Sequence, residues 1–134
     1  VDDYGHHPSE VKATIESVRD GWPRSRLVMV YQPHRYTRTL ELFDQFIDVL
    51  AAVDYLILLD VYPAGEAKIS GATGRDLYNK LKQRSRVDYV AEVKDVPSHL
   101  NRILQSGDLL LTQGAGETAQ LASELTLGWA ARRV

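Results

Sequence analysis

The chain has 134 residues, 44% hydrophobic and 25% charged, and its 16 Lys and Arg against 18 Asp and Glu leave a net charge of −2. That length suits one domain with a core of its own, and the near-neutral balance excludes a polybasic arm for nucleic acid or a membrane surface. With no cysteine there are no disulfides, no thiolate and no cysteine-based metal site, and apolar runs such as Tyr55 to Leu59 are far too short to span a bilayer.

Pro8 stands where a first helical residue would, and Val11, Ile15 and Val18 recur at helical spacing up to Gly21, which predicts a first helix. Leu27 to Tyr31 is a continuous β-favouring run. A second helix carries Leu40, Phe43, Phe46, Ile47 and Leu50 on one face, and Tyr55 to Leu59 is the next buried strand. Leu77 and Leu81 mark a third helix starting near Gly74, and Val87 to Val93 a short strand. Pro97 opens a helix through Leu104, Asp108 to Thr112 is another apolar strand, and Thr118 to Leu127 is the last helix. One helix followed by four strand–helix units predicts an α/β fold, a single domain with an open, mostly parallel sheet covered by helices on both faces. Its crossovers are expected to be right-handed. The opening Val1-Asp2-Asp3-Tyr4, without a methionine, reads as the start of a piece of something longer.

Ligands of open α/β sheets gather outside the carboxyl ends of the strands. Three loops leave those ends: Gln32 to Thr39, Asp60 to Glu66 and Gln113 to Glu117; the opening segment Asp2 to His7 can reach the same rim. Arg35 and Arg38, three apart at a helix start, suit a clamp for a carboxylate or phosphate, because a guanidinium fork binds such groups bidentately and a helix N-terminus adds donors. Positive charge there is disfavoured by the helix dipole, which argues against an idle pair. His6, His7 and His34 sit in these loops, where neutral histidine can orient an amine or take its proton. Adjacent His6 and His7 diverge, which weakens a metal reading, and His7 equally suits a helix cap. Asp2, Asp3, Asp60 and Glu66 suit contacts to a ribose, an ammonium group or water-bridged Mg²⁺, or serve as turn residues. Gly114 to Ala119 fits G-x-G-x-x-A, but on the last strand and with too little chain after it for a ribose-binding acid, so a tight backbone approach is favoured over a dinucleotide site. Tyr78, Tyr89, Trp22 and Trp129 read as structural, and His99 as a surface helix residue.

Four motifs, DDYGHHP (Asp2–Pro8), QPHRYTRT (Gln32–Thr39), DVYPAGE (Asp60–Glu66) and GAG (Gly114–Gly116), run in order along essentially the whole chain. They resemble the C-terminal domain of the Mur ligases of bacterial peptidoglycan synthesis, in the branch that adds L-alanine. The resemblance implies a Rossmann-like domain without a dinucleotide, covering residues 1–134 and acting in the cytoplasm, with the N-terminal UDP-binding and central ATP-binding domains lying outside the chain. It implies partners L-alanine, UDP-N-acetylmuramate and ATP, with ATP and Mg²⁺ bound mainly by the central domain, no nucleic acid and no membrane. Arg35 and Arg38 then clamp the L-alanine carboxylate, Tyr4, His6 and His34 surround the amino acid, His6 orients or deprotonates its amine, and Asp3 faces the nucleotide ribose. Glu117-Thr118 depart from the pair usual after GAG. The alternatives are a murein tripeptide recycling ligase of the same family and a non-catalytic amino-acid-sensing module.

Overall fold

The computed structural model describes the backbone at Asp2 and Asp3, residues 7–114, and Leu121. The elements are β1 (Asp2–Asp3), α1 (Pro8–Gly21), β2 (Leu27–Gln32), α2 (Tyr36–Glu41), α3 (Phe43–Leu50), β3 (Tyr55–Leu58), α4 (Gly74–Leu81), β4 (Val87–Tyr89), α5 (Val96–Ile103) and β5 (Leu109–Gly114). The strands form one sheet in the order β1-β5-β2-β3-β4, and every pairing is parallel. Burial on both faces accounts for the unbroken apolar runs: all six residues of β2 and all four of β3 are buried.

Alternation along the strands sorts the core into two layers. Leu27, Met29, Tyr31, Leu56, Leu58 and Leu111 pack against α1, α3 and α4 through residues such as Val11, Ile15, Phe46, Leu50, Leu77 and Leu81. Val28, Val30, Ile57 and Leu59 face the other way, against Val96 and Leu100 of α5 and against Leu121. The expected α/β sheet with helices on both faces is therefore present. Among the described residues no helix is long and apolar enough to cross a membrane.

The structure corrects the sequence reading at several boundaries. The expected second helix is two: Leu42, with φ −111 and ψ 22, ends α2 and starts α3. This leaves Leu40 50% exposed, off the apolar face it was expected to share. β4 stops at Tyr89, and Val93–Asp95 forms a 3₁₀ turn instead of extending the strand. The opening segment, read as a loop, contributes β1, where Asp2 pairs with Thr112 and Asp3 with Gln113. Trp22, read as structural, caps the C-terminus of α1 and is 51% exposed. Trp129 and the expected helix Thr118–Leu127, Leu121 apart, lie outside the described residues.

Two glycines permit close approaches at the carboxyl edge. A Cβ on Gly74 would lie 2.7 Å from the Leu59 carbonyl oxygen. On Gly114, at φ +135, it would lie 2.5 Å from that of Gln32. Gly114 is thus the tight backbone approach anticipated for the last glycine loop.

Candidate functional site

Beyond the ends of β2 and β3 the two following loops continue side by side. His34 and Tyr62 form an isolated parallel bridge. The Arg35 N–H donates to the Tyr62 carbonyl and the Tyr62 N–H to that of Pro33, each at 2.8 Å. The His34 and Tyr62 rings stack, with centroids 5.7 Å apart and planes 10° from parallel. Arg38, in the first turn of α2, places Nη1 3.3 Å from His34 Nδ1. A guanidinium can only donate, so Nδ1 accepts and any ring proton sits on Nε2. His34, Arg38 and Tyr62 therefore form one contiguous polar group at the carboxyl edge.

Arg35 is the N-cap of α2 rather than part of it, and its φ of +71 is unusual for a residue with a side chain. Hydrogen bonds on both sides hold it there: its N–H is tied to Tyr62, and its carbonyl accepts from the Thr39 N–H at 3.2 Å and hydroxyl at 2.8 Å. The exposed guanidinium makes no hydrogen bond or ion pair among the described residues.

The N-terminus of α2 is already occupied. Glu66 Oε1 accepts from the Thr37 N–H at 3.1 Å, and Oε2 from the Thr37 hydroxyl at 2.6 Å. This corrects the expectation that helix N–H groups would help the arginines hold a ligand. The Thr37 hydroxyl first, then its N–H, and also the charge of Arg35, hold the Glu66 carboxyl below its ordinary pKa.

Asp60, another acidic candidate, braces the scaffold instead: Oδ1 accepts from the N–H of Val61 at 2.8 Å and of Gly74 at 3.0 Å. His7 is a helix cap, its Nδ1 accepting from the Ser9 N–H at 3.1 Å. Asp3 reaches the carboxyl edge through its backbone pairing with Gln113. Tyr4 and His6, and the Ala115 to Glu117 part of the last loop, lie outside the described residues. Beside Tyr62 opens a cleft of about 350 Å³ with mixed lining, Gln32, Asp60, Tyr62 and Glu92 beside apolar Val61 and Val93. Gln32 is only 5% exposed there, and its Oε1 has no hydrogen-bond partner among the described residues. Among the described residues no three His, Asp or Glu side chains are grouped to hold a metal ion.

Sequence reasoning missed Tyr62 as the neighbour of His34, and it missed the Glu66–Thr37 contact. The turn signal Ala64-Gly65 was the available hint. It also misread His99, whose Nε2 lies 2.7 Å from Asp88 Oδ2, while Asp88 accepts from the Tyr55 hydroxyl as well; these contacts tie α5 to the edge strand β4. Tyr78 and Tyr89 are structural as expected, their rings 6.0 Å apart.

A parallel sheet covered by helices on both faces defines a Rossmann-like α/β domain. Residues 1–116 match the family described as Mur ligase, glutamate ligase domain, and the chain belongs to that family. The fold is similar to that of UDP-N-acetylmuramate-alanine ligase from Thermotoga maritima, with TM-score 0.73 and 17% identity over 96% of this chain and 26% of that one. It is also similar to murein peptide ligase from Psychrobacter arcticus, with TM-score 0.66 and 18% identity over 92% of this chain and 26% of that one. A domain of a Haemophilus ducreyi protein described as a UDP-N-acetylmuramate:L-alanyl-γ-D-glutamyl-meso-diaminopimelate ligase matches with TM-score 0.67 and 17% identity, over 95% of this chain and 87% of that one. The chain thus spans about a quarter of the Thermotoga and Psychrobacter enzymes, 26% of each.

Proposed function

We propose that this chain is the C-terminal, acceptor-side domain of an ATP-dependent ligase that joins L-alanine to UDP-N-acetylmuramate in peptidoglycan synthesis. The observation that carries the reading is the exposed guanidinium of Arg35, without a hydrogen bond or ion pair among the described residues, beside the His34–Arg38–Tyr62 group at the sheet's carboxyl edge. Arg35 and Arg38 clamp the acceptor carboxylate, because two guanidinium forks fix both its position and its plane. ATP phosphorylates the muramyl carboxylate; the acceptor amine then attacks the acyl carbon, the C–N bond forms, phosphate leaves and the amine loses a proton. Tyr4, His6 and His34 surround that amine, with His6 orienting or deprotonating it, and Asp3 faces the nucleotide ribose; these roles rest on the motif resemblance. Mg²⁺ and most contacts to ATP are assigned to a central domain outside this chain.

Phosphate release by the complete ligase, given ATP, UDP-N-acetylmuramate and either L-alanine or murein tripeptide, tests this reading. Release with L-alanine alone is expected. The Psychrobacter and Haemophilus likenesses favour recycling of murein tripeptide as the second reading. Release with tripeptide alone would reassign the protein to it, and silence with both acceptors would overturn the ligase reading.

A further inference from the structure

The loop that follows β3 carries a device that the reaction scheme does not use. In Pro63-Ala64-Gly65-Glu66 the Glu66 N–H donates to the Pro63 carbonyl at 3.0 Å, closing a tight turn. Both central residues have positive φ, +50 at Ala64 and +86 at Gly65, the geometry of a primed turn. Ala64 and Arg35 are the non-glycine positions with positive φ among the described residues, one in each of two neighbouring loops. Backbone strain of this kind persists only where surrounding contacts over-determine it, and it concentrates at binding sites. The turn at Ala64 reverses the chain so that Glu66 meets Thr37, 29 residues earlier in sequence, with both carboxylate oxygens. Thr37 lies between Arg35 and Arg38, so its placement sets the backbone from which both guanidinium groups project.

We propose that Glu66 is a positioning residue for the acceptor site: its carboxylate fills the N-terminus of α2, fixes the Arg35–Arg38 segment, and leaves carboxylate recognition to the two guanidinium groups alone. This rests on the ligase reading for its acceptor, and on the loop geometry for the clamp itself. The bidentate contact is charge-assisted and oriented, which a lone surface carboxylate in a turn is not. Both Glu66 carboxylate oxygens are taken up by the Thr37 N–H and hydroxyl, so the carboxylate left for the arginines to bind is that of the acceptor.

The test has two arms. In the complete ligase, Glu66→Ala should raise the acceptor KM about tenfold, the scale of losing a charge-assisted hydrogen bond, with the nucleotide KM and kcat held within about twofold. Glu66→Gln, whose amide can accept from the Thr37 N–H and donate to its hydroxyl, should recover most of the loss. In the 134-residue chain, ¹H–¹⁵N NMR should show a downfield Thr37 amide that moves upfield in Glu66→Ala while the Gly74 amide, held by Asp60, stays in place. A Thr37 amide indifferent to Glu66 would overturn the clamp. A shifted amide with an unchanged acceptor KM, or a fall in kcat alone, would overturn the positioning role. An inert wild-type ligase would instead sink the ligase reading, and with it the acceptor, while the NMR arm still decides the clamp.

Discussion

Arg35 and Arg38 enter the site by different routes, and their substitution should separate accordingly. Arg38 sits in regular helix with its guanidinium against His34. In the complete ligase, Arg38→Ala should raise the apparent L-alanine KM by about 10- to 100-fold, the scale of losing hydrogen bonds to a charged partner. The nucleotide KM should stay nearly constant, and an unchanged alanine KM with weaker ATP binding would move Arg38 to the phosphate side. Arg35 is held at φ +71 and ψ 137, outside the left-handed helical region, a conformation that costs an ordinary residue on the order of 1–3 kcal/mol. Glycine relieves that strain but adds about 0.5–1 kcal/mol of unfolded-state freedom. Arg35→Gly should therefore leave stability to urea at or above that of wild type while acceptor affinity collapses. A comparable loss of stability would mean that the arginine side chain supports the fold. The arginines drew notice in the sequence because two cations at a helix start defy the helix dipole; Glu66 stood out only as an acidic loop residue, and its contact with Thr37 was hidden because the two lie 29 residues apart on different loops.

Among the elements, those whose apolar spacing agrees with a boundary signal were readable. For α1, Pro8 at the first turn and the buried Val11, Ile15 and Val18 specify both start and buried face. The break at Leu42 was not readable, because Phe43, Phe46, Ile47 and Leu50 continue the rhythm of Leu40 without a glycine or proline to interrupt it. The short strand β1 was invisible for another reason: Asp2-Asp3 has no strand propensity, and its conformation comes from the edge that β5 offers it. The junction of β3, Asp60 and α4 leaves no room for a side chain at Gly74. A Cβ on Gly74 would meet the Leu59 carbonyl at 2.7 Å and the Asp60 Cα at 2.8 Å, both backbone atoms. Gly74→Ala should therefore cost about 2 kcal/mol, read as a lower urea midpoint with an unchanged slope. Wild-type stability in that variant would show that the start of α4 can shift away.

Across the whole molecule, carboxylate contacts both local and long-range set the response to acid. Asp108, its side chain 6% exposed, receives Arg26 at 3.0 and 2.6 Å and the Gln105 N–H at 2.8 Å, joining the start of β2 to the entry of β5. Its pKa is lowered, chiefly by the Arg26 hydrogen bond, and that of Asp76 chiefly by Thr73. A carboxyl depressed in the folded state contributes its stability in full above its unfolded pKa and loses it as pH falls through the folded value. Stability should thus be flat near neutrality and fall below about pH 4. Asp108→Asn should remove about 2 kcal/mol at pH 7 and progressively less as acid protonates the wild-type group, in urea titrations run at several pH values. A deficit independent of pH would assign the pair a packing role. The purified 134-residue chain, given ATP, Mg²⁺, UDP-N-acetylmuramate and L-alanine, should release no product, since phosphoryl transfer depends on positioned phosphates and metal; turnover by it would overturn the proposed division of labour between domains.

The pairing of Asp2 and Asp3 with Thr112 and Gln113 also fixes an order of events during synthesis. A ribosome adding about 5–20 residues per second needs roughly 5–20 s between making the two partners. Throughout that interval Asp2 and Asp3 lack the β5 edge to which they pair. The carboxyl rim is therefore complete only once β5, the last of the described strands, has left the exit tunnel, and a chain stalled before Leu109 lacks the strand to which β1 and β2 both pair.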